Sequence, residues 1–185
     1  MASLPPPLSR PRPVLGLRLC QRANRWGAQR AVRTFFSGVS RLGDGLFWYA
    51  LMAALSLFGG TRGLRATASM AVAGLLALGL YWVLKKLTRR PRPFRSVVGI
   101  VAHLPPLDEF SFPSGHTLQA VSFTMVACAW FPVLMVPLLI FTLLVAASRI
   151  VLGLHYPGDV LAAAGIGLAL GGAVLSIGIL MGFVP

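Results

Sequence analysis

Residues 158–184 read GDVLAAAGIGLALGGAVLSIGILMGFV, and Asp159 is the only charged residue in this stretch. The hydrocarbon core of a bilayer is about 30 Å thick and needs about 20 helical residues to cross it. Backbone groups in lipid have no water to bind, so a crossing segment closes its hydrogen bonds within a helix. The stretch therefore predicts a membrane-spanning helix.

Four further apolar runs precede it, at 45–60, 66–84, 117–134 and 136–147, the last extending past Arg149. The chain of 185 residues is 56% hydrophobic and 11% charged, whereas an ordinary soluble domain is about 25% charged. This composition excludes a soluble enzyme, a disordered protein and a disulfide-stapled secreted module. We predict an all-α, polytopic membrane helical bundle with about five transmembrane helices. The first and fourth runs are short and need their polar flanks to span.

The amino-terminal residues 1–43 hold eight arginines and no acidic residue. Their proline-rich beginning predicts irregular backbone, and from about Asn24 onward apolar residues recur at three- and four-residue spacing. This pattern predicts an amphipathic helix on the membrane surface with Trp26 as an interfacial anchor. We therefore divide the chain into a basic tail, 1–43, and a membrane-embedded domain, 44–185. An organelle transit peptide is the alternative interpretation of the arginine-rich start.

The formal net charge of +13 limits the choice of partners. In a soluble protein it would indicate nucleic acid, but here the cations lie in the tail and in loops between apolar runs. That placement indicates lipid headgroups, an anionic substrate or control of topology, and we expect no nucleic acid partner. Cys20 and Cys128 lie in such different settings that we predict neither a disulfide nor a zinc site. The four acidic residues are too few to build a magnesium site.

Alternating helices would bring distant polar residues to one face of the membrane. The second apolar run ends at Lys85, the third begins at His116, the fourth ends near Arg149 and the fifth begins near Asp159. Four ends of successive spans therefore meet on the same side. Ionisable groups at a membrane face are costly and indicate a functional site.

The residues that converge suit phosphoryl transfer, whose transition state spreads negative charge over three oxygens. Arg92 and Arg149 can each bind two oxygens, and Lys85 adds a point charge. Ser114 occupies an N-cap position, where its hydroxyl and the Gly115 N–H would face an anion at the positive end of a helix.

Two histidines and a carboxylate complete this set. His155 and Asp159 are four residues apart, which places them on one face of a helix start. Asp159 can accept from one ring nitrogen of His155 and leave the other as a nucleophile. His116 is the remaining group that can give and take a proton near neutral pH.

Three sequence blocks resemble the type 2 phosphatidic acid phosphatase superfamily, which also includes glucose-6-phosphatase and vanadium haloperoxidases. They are K-x6-R-P at 85–93, P-S-G-H at 113–116 and S-R-x5-H-x3-D at 148–159. The resemblance implies that His155 attacks phosphorus to form a phosphohistidine, that Asp159 orients it, and that His116 protonates the leaving oxygen and then activates water. It also implies that no metal or other cofactor takes part, and that the phosphate is held by Lys85, Arg92, Ser114, Gly115 and Arg149.

The implied activity is hydrolysis of a lipid-linked phosphate or diphosphate. Undecaprenyl diphosphate is the first expectation, with phosphatidate and phosphatidylglycerophosphate as alternatives, in a bacterial inner (plasma) membrane. The competing interpretation is a non-enzymatic scaffold or an anionic-lipid-binding protein. The arginine-rich tail favours a cytoplasmic active face, whereas enzymes of this superfamily commonly face away from the cytoplasm. The side of the membrane, the preference for mono- or diphosphate and the oligomeric state therefore stay open.

Several charged residues outside the blocks carry weaker expectations. Arg90 and its neighbours Lys86, Arg89 and Arg95 suit headgroup contact or control of topology, with a function as a lid over the site as the alternative. Asp108 and Glu109 suggest a solvated loop, with pairing to a surplus arginine or gating of the pocket as alternatives. We also expect an interfacial pair between Asp44 and Arg41, and His103 is expected to be a loop histidine without a catalytic part.

Overall fold

The computed structural model describes residues 15–183, which form helices joined by loops, as predicted. A π-helical turn, Leu42–Leu46, runs from the second helix into the third, and a 3-10 turn, Pro132–Leu134, precedes the seventh. The helices are α1 (Leu15–Gly27), α2 (Arg30–Arg41), α3 (Phe47–Phe58), α4 (Gly60–Thr88), α5 (Pro93–Ser96), α6 (Gly115–Trp130), α7 (Met135–Val151) and α8 (Pro157–Leu180).

Within residues 15–183, three helical segments are long and apolar enough to cross a membrane: Gly60–Thr88, Pro132–Val151 and Pro157–Leu180. The all-α bundle is therefore confirmed. Helices α3 and α6 are shorter, with 12 and 16 residues. A count of five spans consequently stays a prediction.

Helix α6 lies at the centre of the bundle and packs against α4, α7 and α8. Trp48, Met70, Phe123 and Trp130 belong to the main buried cluster around it. Helices α6 and α8 approach closely because α8 carries glycines at the contact. A Cβ at Gly167 would lie 2.9 Å from the Leu118 carbonyl oxygen, closer than two such atoms pack. Glycine here serves helix packing, as in other membrane bundles.

The amino-terminal helices differ from the single amphipathic helix that the pattern predicts from about Asn24. Helix α1 already begins at Leu15, and the helical path breaks at residues 28 and 29 before α2. The reason is tertiary: the Cys20 side chain is fully buried and Asn24 is 3% exposed, so α1 packs into the protein. Trp26, the predicted anchor, is half exposed. The proline-rich beginning of the tail lies outside the described residues.

Candidate active site

The predicted site residues meet around a cavity of about 590 Å³ lined by α3, α4, α6, the end of α7 and the loops at their ends. Its polar end is lined by Arg92, Asp108, Gly115, His116, Arg149 and His155, and its other end is apolar. Two histidines from sequence positions 39 residues apart therefore open into the same space. Lys85, Ser114 and Asp159 lie behind this lining, and each is at most 2% exposed.

Two of the predicted phosphate ligands share one carboxylate. Lys85, near the end of α4, donates to the Asp108 carboxylate and to the Phe110 carbonyl oxygen at 2.6 Å. Arg92 precedes α5, where Pro93 occupies the first helical position, and its Nη2 lies 2.8 Å from Asp108 Oδ1. Its Nη1 donates to the Leu154 carbonyl oxygen at 2.9 Å. Both cations are thereby fixed at the polar end of the cavity.

Asp108 is the residue whose part the sequence interpretation missed. It does not lie in a solvated loop, because its side chain is 18% exposed and Tyr81 Oη donates to it at 2.5 Å. Burial alone would raise the pKa of Asp108, but hydrogen bonds from Lys85 and Tyr81 and the charge of Arg92 outweigh burial and lower it. An ionised carboxylate thus balances two buried cations.

His155 lies in the loop between α7 and α8 and is 2% exposed. Its Nδ1 is 2.6 Å from the Ser111 carbonyl oxygen, which can only accept, so Nδ1 carries the proton. Nε2, with the lone pair, lies 3.3 Å from Arg92 Nη1. Burial, followed by the charges of Arg149 and Arg92, holds the pKa of His155 well below its usual value. The ring is therefore a neutral imidazole, the form that can act as a nucleophile.

Asp159 positions His155 through a neighbour rather than by the direct bond that the spacing predicts. Its Oδ2 is 3.9 Å from His155 Nδ1, too long for a hydrogen bond. It instead accepts from the Ser111 hydroxyl and from the Tyr156 N–H at 3.0 Å. Asp159 therefore holds Ser111, whose carbonyl oxygen orients the imidazole. Arg90, expected at lipid headgroups, pairs with Asp159 at 2.7 Å.

Ser114 occupies the predicted N-cap of α6, with extended backbone. Its hydroxyl, however, pairs with the Thr117 hydroxyl at 2.9 Å instead of capping a backbone N–H. At Gly115, a Cβ would lie 2.7 Å from the Tyr81 ring, so no larger residue fits without a shift. The Ser-Gly turn thus lets Tyr81, which also binds Asp108, pack directly on the helix start.

Arg149, at the end of α7, is 2% exposed and donates to the Ser40 hydroxyl. Its Nε has no hydrogen-bond partner among residues 15–183, and in that range no carboxylate lies within 4.0 Å of its guanidinium. A buried cation without a counter-ion is costly. Arg149 therefore presents to the cavity a positive charge that no carboxylate in residues 15–183 contacts within 4.0 Å.

His116 begins the first turn of α6 and is 8% exposed. Its Nε2 lies 3.3 Å from Asp44 Oδ1. Asp44 was expected to pair with Arg41, but the structure pairs it with this histidine. The expectation failed because the π-helical turn directs Asp44 into the cavity. His103 lies away from the cavity, with Nε2 3.1 Å from the Asn24 carbonyl oxygen.

The described residues contain no group of three or more His, Cys, Asp or Glu side chains placed to hold a metal ion. What they do combine is one neutral imidazole whose Nε2 lone pair faces Arg92, a second imidazole paired with a carboxylate, and three cations. This set can attack a phosphorus atom, donate a proton to the group that leaves and stabilise the charge that develops. Fold and site together define a helical membrane protein of the phosphoryl-transfer type.

The chain belongs to the PAP2 superfamily, whose family model matches residues 62–179. It is 29% identical over 145 residues to decaprenylphosphoryl-5-phosphoribose phosphatase of Mycobacterium tuberculosis, covering 76% of this chain and 77% of the relative. It is 33% identical over 129 residues to undecaprenyl-diphosphatase BcrC of Bacillus subtilis, covering 66% and 64% of the two chains. The crystal structure of Aquifex aeolicus LpxE is similar with a TM-score of 0.77 at 27% identity, covering 88% of this chain and 96% of that one.

Proposed function

We propose that this protein is a membrane-embedded phosphatase that hydrolyses a lipid-linked phosphate or diphosphate through a phosphohistidine at His155. The observation that carries the proposal is Arg149, a buried cation without a carboxylate within reach in residues 15–183, in a cavity that both histidines line. An anion at this position would supply the missing counter-charge. A phosphoryl group is the anion that the neighbouring nucleophile can use.

In the first step the lone pair of His155 Nε2 attacks phosphorus as the bond to the leaving oxygen breaks. His116 gives its proton to that oxygen, so the lipid departs as a neutral alcohol or, from a diphosphate, as a monophosphate. In the second step water attacks the phosphohistidine, the N–P bond breaks and His116 takes a proton from the water. Inorganic phosphate leaves and the two imidazoles return to their starting forms.

Three cations would stabilise the charge on the phosphoryl oxygens during both steps. Arg149 contributes a guanidinium that pairs with no carboxylate within 4.0 Å in residues 15–183, whereas Lys85 and Arg92 already bind Asp108. A phosphoryl group that binds all three must therefore compete with the Asp108 carboxylate. Ser114 and Gly115 at the start of α6 would add hydroxyl and N–H donors at the positive end of the helix.

The apolar end of the cavity supports a lipid substrate. Met52 of α3, Leu75 and Leu78 of α4 and Phe123 of α6 line it. Such a surface fits an acyl or isoprenyl chain, with the phosphate at the polar end. Relatives named for decaprenylphosphoryl-5-phosphoribose and undecaprenyl diphosphate favour an isoprenoid chain. Undecaprenyl diphosphate is the first candidate, with phosphatidate and phosphatidylglycerophosphate next.

The test of this function is a panel of pure lipid phosphates incubated with the detergent-solubilised protein in the presence of EDTA. We expect release of inorganic phosphate from at least one isoprenoid phosphate, at a rate that EDTA does not change, because the proposed steps use only side chains of this chain. Inhibition by EDTA would contradict the mechanism. Lipid binding without turnover across the panel would support the non-enzymatic scaffold instead.

We further propose five membrane spans, with the basic tail, 1–43, on the surface and the domain 44–185 in the bilayer. The π-helical turn and α3 run continuously over 42–58, and α6 is short but enclosed by α4, α7 and α8. Both are compatible with crossing a locally thinned bilayer. The basic tail then shares the catalytic face. The proposed location is a bacterial inner (plasma) membrane.

The five-span topology predicts that the two chain termini lie on opposite sides of the membrane. Reporter fusions at Met1 and Pro185, each active on one side only, measure this directly. We expect opposite signals from the two fusions. Signals from the same side would contradict five spans. The side on which the Met1 fusion is active decides whether the active face is cytoplasmic.

A further inference from the structure

Asp44 reaches the site from a part of the chain that precedes the family match at 62–179. It lies in the π-helical turn between α2 and α3, and its carboxylate is 3.3 Å from His116 Nε2. One helical turn earlier, Ser40 accepts a hydrogen bond from Arg149. The amino-terminal segment thus supplies two polar side chains to the site, and one of them faces the proposed proton donor.

Glycines on both sides of Asp44 make this approach possible. Gly43 packs against α7 so closely that a Cβ there would lie 2.8 Å from Val145. Gly45 has φ of +130°, a conformation that favours glycine, and a Cβ there would lie 2.8 Å from the Tyr49 ring. The turn is therefore shaped to bring the carboxylate between them to the cavity, which Asp44 lines.

The contact determines which nitrogen of His116 serves the substrate. When the imidazole is protonated, Nε2 faces the Asp44 carboxylate at 3.3 Å, and Nδ1 is the ring nitrogen left to serve the leaving oxygen. The charged groups that face His116 are Asp44 and Asp108 together with the cations Arg149, Arg92 and Lys85, and the Asp44 carboxylate lies 3.3 Å from the ring.

We propose that Asp44 is a positioning residue for His116, and that hydrolysis of phosphate monoesters depends on it more than hydrolysis of diphosphates does. The proposal rests on the phosphatase function given above. A monoester expels an alkoxide, which is strongly basic and needs the proton of His116 as the P–O bond breaks and the N–P bond forms at His155. A diphosphate expels a phosphate monoester, a much weaker base than an alkoxide, so its departure depends far less on that proton.

Farnesyl monophosphate and farnesyl diphosphate test this with one apolar chain and two leaving groups. Chromatography of the products, farnesol and farnesyl monophosphate, gives the initial rates. The variants are compared by kcat/KM, which reports the loss of transition-state stabilisation relative to free enzyme and substrate. In Asp44→Asn we expect kcat/KM for farnesyl monophosphate to fall at least about 10-fold. Proton transfer by a positioned side chain accelerates a reaction by roughly 10² to 10⁴, and loss of Asp44 removes part of that acceleration. The diphosphate value should change less than about threefold, and Asp44→Glu should recover part of the loss.

The matched control is Glu109→Gln, which makes the same acid-to-amide change in an exposed side chain whose contact is Arg95. It should leave both kcat/KM values unchanged. If Asp44→Asn lowers both substrates by the same factor, or neither, the inference about Asp44 is overturned while the phosphatase proposal stands. If the wild-type protein hydrolyses neither farnesyl phosphate nor any other lipid phosphate, both proposals fall together.

Discussion

Replacing His155 with alanine is expected to lower the turnover of every lipid phosphate by about four orders of magnitude or more, as removal of a nucleophile does elsewhere. The physical reason is that the variant has no nucleophilic imidazole at the position that the Ser111 carbonyl oxygen and Arg92 define. His155 is the imidazole whose Nδ1 is fixed by the Ser111 carbonyl oxygen, leaving Nε2 beside Arg92. Steady-state phosphate release and the yield of covalent phosphoprotein after rapid quenching with ³²P-labelled substrate measure the effect.

His103→Ala is the matched control, because it removes an imidazole that contacts the Asn24 carbonyl oxygen outside the cavity. Its activity should stay within about threefold of wild type, as for most changes away from a site. The wild-type protein and His103→Ala should both yield phosphoprotein, and His155→Ala should yield none. Labelling of His155→Ala to the wild-type extent would place the nucleophile elsewhere.

The convergence of the catalytic set was predictable because it follows from counting crossings. Lys85, His116, Arg149 and Asp159 are each at an end of an apolar run, and alternating helices leave those ends on one face. Polar residues at the ends of long apolar runs therefore indicate which parts of the chain lie close together, even when the structure of the loops is unknown. The structure places all four at one end of the bundle, around or directly behind one cavity.

The partners of that set were not predictable, because loops choose partners by tertiary proximity and not by local pattern. Nothing in the spacing indicates that Asp108 would bind Lys85 and Arg92, or that a backbone carbonyl of Ser111 would come between His155 and Asp159. A weak signal did exist. In a chain with only four acidic residues, a carboxylate near three arginines is expected to find a cation.

The amino-terminal helix shows the same limit of sequence patterns. Periodicity predicts a helix on the membrane surface, but it does not reveal what the helix touches. Asn24 of α1 donates to the carbonyl oxygens of Val101 and Val151 at 2.8 and 3.2 Å and accepts from the Val101 N–H. Helix α1 thereby fastens the loop after α5 to the end of α7, which leads into the loop that carries His155, and so forms part of the scaffold of the site.

Arg149→Met is expected to separate catalysis from stability. Loss of one donor to the developing charge typically costs about 10² to 10³ in kcat, and kcat/KM on lipid phosphates should fall at least that far. In phosphate-free buffer, however, the thermal unfolding midpoint should hold or rise. The methionine removes a buried charge that has no carboxylate within reach in residues 15–183, and replacing buried charges by apolar groups is often neutral or stabilises by about 1–4 kcal/mol.

Arg92→Met is the matched comparison for the stability of Arg149→Met. Arg92 is equally buried, but it binds the Asp108 carboxylate and the Leu154 carbonyl oxygen, so its loss removes one of the two cations that balance Asp108 and takes a donor from the Leu154 carbonyl oxygen. We expect a similar fall in activity together with a loss of about 1–3 kcal/mol of stability. Unfolding of both variants in the same detergent measures the contrast. A residue that is retained to bind an anionic substrate destabilises the protein when that anion is absent, so its removal should not lower the unfolding midpoint. An equal drop in midpoint for Arg149→Met and Arg92→Met would therefore mean that Arg149 stabilises the fold.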